Sequence, residues 1–187
     1  MQIAAHQRSL LLNRRVPWTN SSKAVAFLTT LLLLPLLLPQ PAAAAVTLAE
    51  LKADPNLTPE RLIKYFADFK FELGREVRKP ETFLATQSGD CDDFATLAAD
   101  LLREKGYSTH LVAVFMPQEV HVVCYVADTG SYLDYNCRKK DFPLVKCDGA
   151  LETIAAKVAE SFRTQWRSAS EFTFQNGSRH FVSTVFR

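Results

Sequence analysis

Ser88 to Gly106 reads SGDCDDFATLAADLLREKG and sets one cysteine, Cys91, among three aspartates where a helical pattern begins. A helix start has unpaired N–H groups and the positive end of the macrodipole, so it favours a thiolate there. Asp92 and Asp93 oppose that anion, yet they also suit the first turn of a helix, as Asp90 does just before it. The sulfur therefore needs a base. Beyond residue 45 the chain has three histidines, His110, His121 and His180. His110 stands at a strand start, His180 in a hairpin near the end of the chain, and His121 at the opening of a strand.

A cysteine–histidine pair needs a third group that sets the imidazole tautomer and supports its charge. The hairpin that follows His121 offers two. A two-residue turn at Asp128-Thr129 sets Asp134 opposite Val123, one diagonal from His121 on the same face. A turn at Thr129-Gly130 gives that place to Asn136. Hairpin turns favour glycine at the second loop position, which speaks for Asn136. A slip of one residue in pairing register would send both groups to the other face.

Several elements must position these groups. Thr58 as N-cap, Pro59 at the first helical position and Glu60 predict a helix through PNLTPERLIKYFADF, with Leu62, Ile63, Phe66 and Phe69 as its apolar face. KFELGREVRKPETFLATQ, with Gly74 and Pro80, reads as an extended connection. Phe94, Leu97, Ala98, Leu101 and Leu102 then predict a helix that Gly106 ends. STHLVAVFM, HVVCYVA and SYLDYN read as strands, GALETIAAKVAESFRTQW as a helix. SEFTFQNGSRHFVSTVF reads as a hairpin with a type I′ turn at Asn176-Gly177. The order predicts an α+β domain in which helices pack on an antiparallel sheet.

The residues GDCDDFA, the helix they open, the two strands that follow, His121-Val-Val and Leu-Asp134-Tyr-Asn together resemble the transglutaminase-like superfamily, including its bacterial cysteine peptidases. The resemblance runs from Leu84 to Asn136, and beyond that only in general shape. It implies a papain/transglutaminase-like fold, with the Cys-bearing helix packed on an antiparallel sheet that carries His and Asp. It implies Cys91 as nucleophile, His121 as base and Asp134 as orienting acid, and so selects Asp134 over Asn136. Val122-Val123 stand where the family usually has a small residue and an aromatic one. The implied activity is thiol acyl transfer: hydrolysis of a peptide, isopeptide or related amide, or cross-linking of glutamine to an amine. A third reading keeps the fold as a silent binding module. The Cys91 N–H is expected to help hold an oxyanion, with Gln87 as a second candidate donor. Some relatives bind calcium, for which Asp90 and Asp92 are the candidates here. No cofactor is expected, and no Cys/His pair has the spacing of a zinc site.

The first 45 residues differ from the rest. They hold Arg8, Arg14, Arg15 and Lys23, no acidic residue, an apolar run from about Ala24 to Leu38, and then PAAAA. This is the pattern of an export signal cleaved near Ala44 or Ala45, with residues 46–187 as the domain, secreted or periplasmic. Pro35, Pro39 and the shortness of the run speak against a stable membrane span after cleavage. The chain carries 22 basic and 20 acidic groups, so without the segment's four basic groups the balance turns from +2 to −2. With no basic stripe interleaved with aromatics, nucleic acid is not an expected partner; a peptide or protein substrate is. Of the four cysteines, Cys124 alternates with His121 onto the opposite face and is expected in the core. Cys137 and Cys147 enclose a short loop and are candidates for a surface disulfide.

Overall fold

A computed structural model describes residues 45–187 apart from 176 and 177. The expected export signal, residues 1–45, thus lies outside the described residues except for residue 45, as does the expected turn at Asn176-Gly177. The helices are α1 (Leu48–Ala53), α2 (Pro59–Lys64), α3 (Pro80–Thr86), α4 (Cys91–Glu104) and α5 (Leu151–Ser161). The strands are β1 (Lys70–Phe71), β2 (Ser88–Gly89), β3 (Thr109–Phe115), β4 (Val120–Val126), β5 (Ser131–Leu133), β6 (Leu144–Lys146), β7 (Ser168–Gln175) and β8 (Ser178–Phe186). Six of them form one antiparallel sheet in the order β6-β5-β4-β3-β7-β8, while β1 and β2 pair in parallel beside it. The α+β architecture expected from the element order is present.

Alternation along β4 divides the interior. Val122, Cys124 and Val126 face the core shared with α4, and Val123 and Tyr125 face the core shared with α5. The sheet thus has a helix on each face. Behind α4 lies a packed aromatic cluster. Phe66 stacks on Phe83 at 5.5 Å and meets Phe94 edge-on at 5.1 Å, and Tyr135 lies 5.5 Å from Phe94. Such contacts in a close-packed interior fix α4 against the segment that follows β5.

Three expectations are corrected. The segment through Pro80 is not simply an extended connection, because it contains α3. Pro80 sits in the first turn of that helix, where its missing N–H costs nothing and its fixed φ suits the helix. The helix that Thr58 caps ends at Lys64 rather than running to Phe69, and turns carry Phe66 and Phe69 into the core. Neither Cys137 nor Cys147 is in a disulfide; all four cysteines are free thiols. Cys124 is fully buried in the α4 core as expected, and burial pushes its thiol up to about 12.

Candidate active site

Cys91 is the first residue of α4, and the three aspartates around it have separate tasks. Asp90 is the N-cap: its Oδ1 accepts the N–H groups of Asp92 (3.1 Å) and Asp93 (3.4 Å). Its Oδ2 accepts the N–H of Gly74 (2.9 Å). Asp93 closes a capping box by accepting the Asp90 N–H (3.1 Å), and its other oxygen accepts the Arg78 N–H (2.6 Å). Burial holds the Asp93 carboxyl above the usual range, although those amides and Arg78 pull it down. Asp92 pairs with Arg179 from β8 and lies 3.8 Å from Cys91 Sγ. The acids therefore build and brace the helix start, and the only one on the sulfur has a guanidinium partner. Asp90 and Asp92, the candidate calcium ligands, are committed to backbone amides and to Arg179.

Gly89 explains how the motif fits so tightly. A Cβ there would lie 2.6 Å from the Phe83 ring and against the Asp93 carboxylate. Only glycine lets β2 run directly over α3 into the cap.

Asp90 takes the amides of Asp92 and Asp93, and the Cys91 N–H has no acceptor among the described residues. That donor is at the first helical position beside its own sulfur, where an oxyanion would need it. Gln87, the second candidate donor, stands apart. It ends α3 in the left-handed conformation at φ 49°, is exposed, and does not line the cleft at Cys91.

His121 and Asp134 face the α5 side of the sheet. His121 Nε2 lies 2.9 Å from Asp134 Oδ1, with both side chains almost wholly buried. Asp134 also accepts the N–H of Asn136 at 2.8 Å. With Nε2 on the carboxylate, the remaining ring nitrogen is Nδ1, and Cys91 lines the same cleft as the imidazole. Burial alone would push the imidazole down from its ordinary 6.5. The bond to Asp134 and the contact with Cys91 outweigh this and raise it to about 10. The site favours imidazolium. The Phe162 ring, just past α5, packs 4.9 Å from the imidazole.

The pairing register decides between the two orienting candidates. Cys124 pairs with Leu133 and Val126 with Ser131, which carries Asp134 opposite Val123. The loop is not a two-residue turn. Ala127–Thr129 form a short 3-10 segment, and Gly130 closes it at φ 55°, a conformation glycine adopts without strain. Four loop residues keep the pairing of an Asp128-Thr129 turn while placing glycine where positive φ is needed. Asn136 contributes through its backbone, and its side chain lines the cleft.

Cys91 and His121 share a cleft of about 530 Å³ with Phe71, Leu73, Gln118, Glu119, Val120, Asn136 and Phe162. Sequence reasoning had none of these walls except Asn136. Neither His110 nor His180 belongs to the cleft.

The sequence profile of the transglutaminase-like superfamily matches residues 43–178. This is most of the chain, and it agrees with the α+β fold of helices packed on an antiparallel sheet. The protein belongs to the transglutaminase-like superfamily. No individual curated protein matches it significantly.

Proposed function

We propose that the protein is an exported cysteine hydrolase of the transglutaminase-like type, cleaving a peptide, isopeptide or related amide through a thioacyl intermediate. The observation that carries this reading is that Cys91 and His121 share one cleft, with His121 bonded to Asp134 at 2.9 Å. Cys91 Sγ attacks the carbonyl carbon and an S–C bond forms. The carbonyl oxygen takes the negative charge and is held by the Cys91 N–H. His121 gives its proton to the departing nitrogen, and the C–N bond breaks. Water then loses a proton to His121 as its oxygen attacks the thioester carbon. The S–C bond breaks, and the thiolate and imidazolium are restored. Asp134 holds the ring with Nδ1 toward the sulfur throughout.

Export rests on the basic, apolar and small-residue order of the first 45 residues. Among the described residues, no helix is long and apolar enough to cross a membrane. N-terminal sequencing of protein from its native host tests this part: a start near Ala45 or Val46 is expected, and a retained Met1 would refute it.

The activity is tested by labelling the purified protein with a thiol-reactive acyl probe and mapping the adduct. Modification of Cys91 well ahead of Cys124, lost in Cys91→Ala and slowed in His121→Ala, is the expected result. A Cys91 no more reactive than Cys124 would refute the reading and leave the silent binding module.

A further inference from the structure

Three of the seven large apolar side chains exposed among the described residues stand around Cys91. Phe71 is 55% exposed, Leu73 79% and Val120 44%, and all three line the cleft that holds the thiol, joined by Phe162. Concentrated apolar exposure of this kind marks a surface that something else covers. Apart from the His121 imidazole, which is paired with Asp134, the charged wall residue of the cleft is Glu119, and no lysine or arginine lines it. An acidic side chain on that wall would meet the Glu119 carboxylate and no lysine or arginine, the imidazole being already paired with Asp134.

The wall is tied to the nucleophile. The Glu72 N–H donates to the Gly89 carbonyl at 2.8 Å, and the Gly74 N–H to the Asp90 cap at 2.9 Å. Phe71 and Leu73 therefore keep a set place relative to the first turn of α4. The acyl group is bonded to Sγ from the first attack until water releases it, whereas the amine departs in the first half of the cycle. Contacts fixed to the Cys91 helix thus serve the acyl residue throughout the cycle.

We propose that the Phe71–Leu73–Val120–Phe162 wall is the subsite for a bulky, uncharged apolar side chain on the residue whose carbonyl is attacked. This rests on Cys91 being the nucleophile, and it selects a leucine-like or aromatic acyl residue over a small or acidic one.

The test uses acetyl-Ala-Ala-X acyloxymethyl ketones with X as Leu, Phe, Ala or Asp, and iodoacetamide as a probe without a side chain. The second-order rate of Cys91 modification is read by mass. The Leu and Phe probes are expected to outrun Ala by about tenfold or more, in line with the discrimination a hydrophobic pocket achieves, and Asp to be slowest. Leu73→Asn combined with Phe71→Ser should bring the Leu-to-Ala ratio close to one. Leu73→Ala alone, a substitution at a solvent-exposed side chain, should lower that ratio in the same direction and serves if the double variant does not fold. Equal Leu and Ala rates in the native protein, a preference for Asp, or a ratio untouched by these variants would each overturn the subsite. Failure of every probe, iodoacetamide included, would overturn the nucleophile and the subsite with it. Iodoacetamide labelling without a Leu preference overturns the subsite alone.

Discussion

Two histidine–carboxylate pairs sit on the same sheet, one between β3 and β7 and the other between β4 and the residue that follows β5. His121 and Asp134 meet at 2.9 Å with side-chain exposures of 4% and 1%; His110 and Glu171 meet at 2.7 Å with 39% and 30%. Distance does not separate them, but their surroundings do. Water competes for the His110–Glu171 pair and screens it, so such a pair contributes little. The His121–Asp134 pair has lost its water. Each group there depends on the other, on the Asn136 N–H and on Cys91, and removing one partner leaves an uncompensated buried charge. A short contact identifies a working pair only when burial and a third reactive group accompany it.

The largest effect expected of breaking this contrast is on turnover. Asp134→Asn keeps the shape but loses the charge and the tautomer preference. Activity on a substrate found by probe labelling should fall by roughly 10⁴-fold, the size of the corresponding loss in a serine protease triad. Glu171→Gln should leave turnover close to native. Matching circular dichroism spectra for both variants are needed, and near-native activity in Asp134→Asn would remove Asp134 from the third position. Asn136→Ala should cost far less than Asp134→Asn, since the Asn136 backbone N–H holds the carboxylate and remains.

Stability should follow in the same order. Asp134→Ala strands the buried imidazole and should cost about 3–5 kcal/mol in urea unfolding. The coupling between His110 and Glu171 in a double-mutant cycle should be about 1 kcal/mol or less and should shrink with salt. A coupling of similar size in both pairs would mean that burial is not what distinguishes them.

The subtlest expected difference is in pH dependence. The His121 value is raised in the folded protein from 6.5 to about 10. Its contribution is therefore fully present below 6.5 and is lost as pH rises through about 10. Urea midpoints of the native protein should decline across that window more steeply than those of His121→Gln. Parallel curves would contradict the raised value.

Much of this site was legible because its grammar is local. The cap, first turn and apolar stripe of α4 lie within a few residues of one another, as do the strands around His121. The register placing Asp134 beside His121 was one of two readings, and hairpin chemistry alone favoured the other. It took a loop of four residues, closed by Gly130, to satisfy both the pairing and the glycine. The helix at Pro80 was missed because proline both ends and begins helices, and the tertiary packing of Phe83 and Leu84 decides which. The suggested bridge between Cys137 and Cys147 rested on loop length, which says nothing about where the two sulfurs point.

Other features had no local trace at all. Arg179 reaches Asp92 across 87 positions, and Phe162 packs on His121 across 41. Phe71 and Leu73 look in sequence like any apolar residues in a connection. Short-range capping and periodicity are written into consecutive residues, because they are satisfied by the chain's own neighbouring backbone and side chains. Cleft walls and neutralising partners are made by chain segments that meet only after the core has packed, so the fold alone determines what surrounds the sulfur.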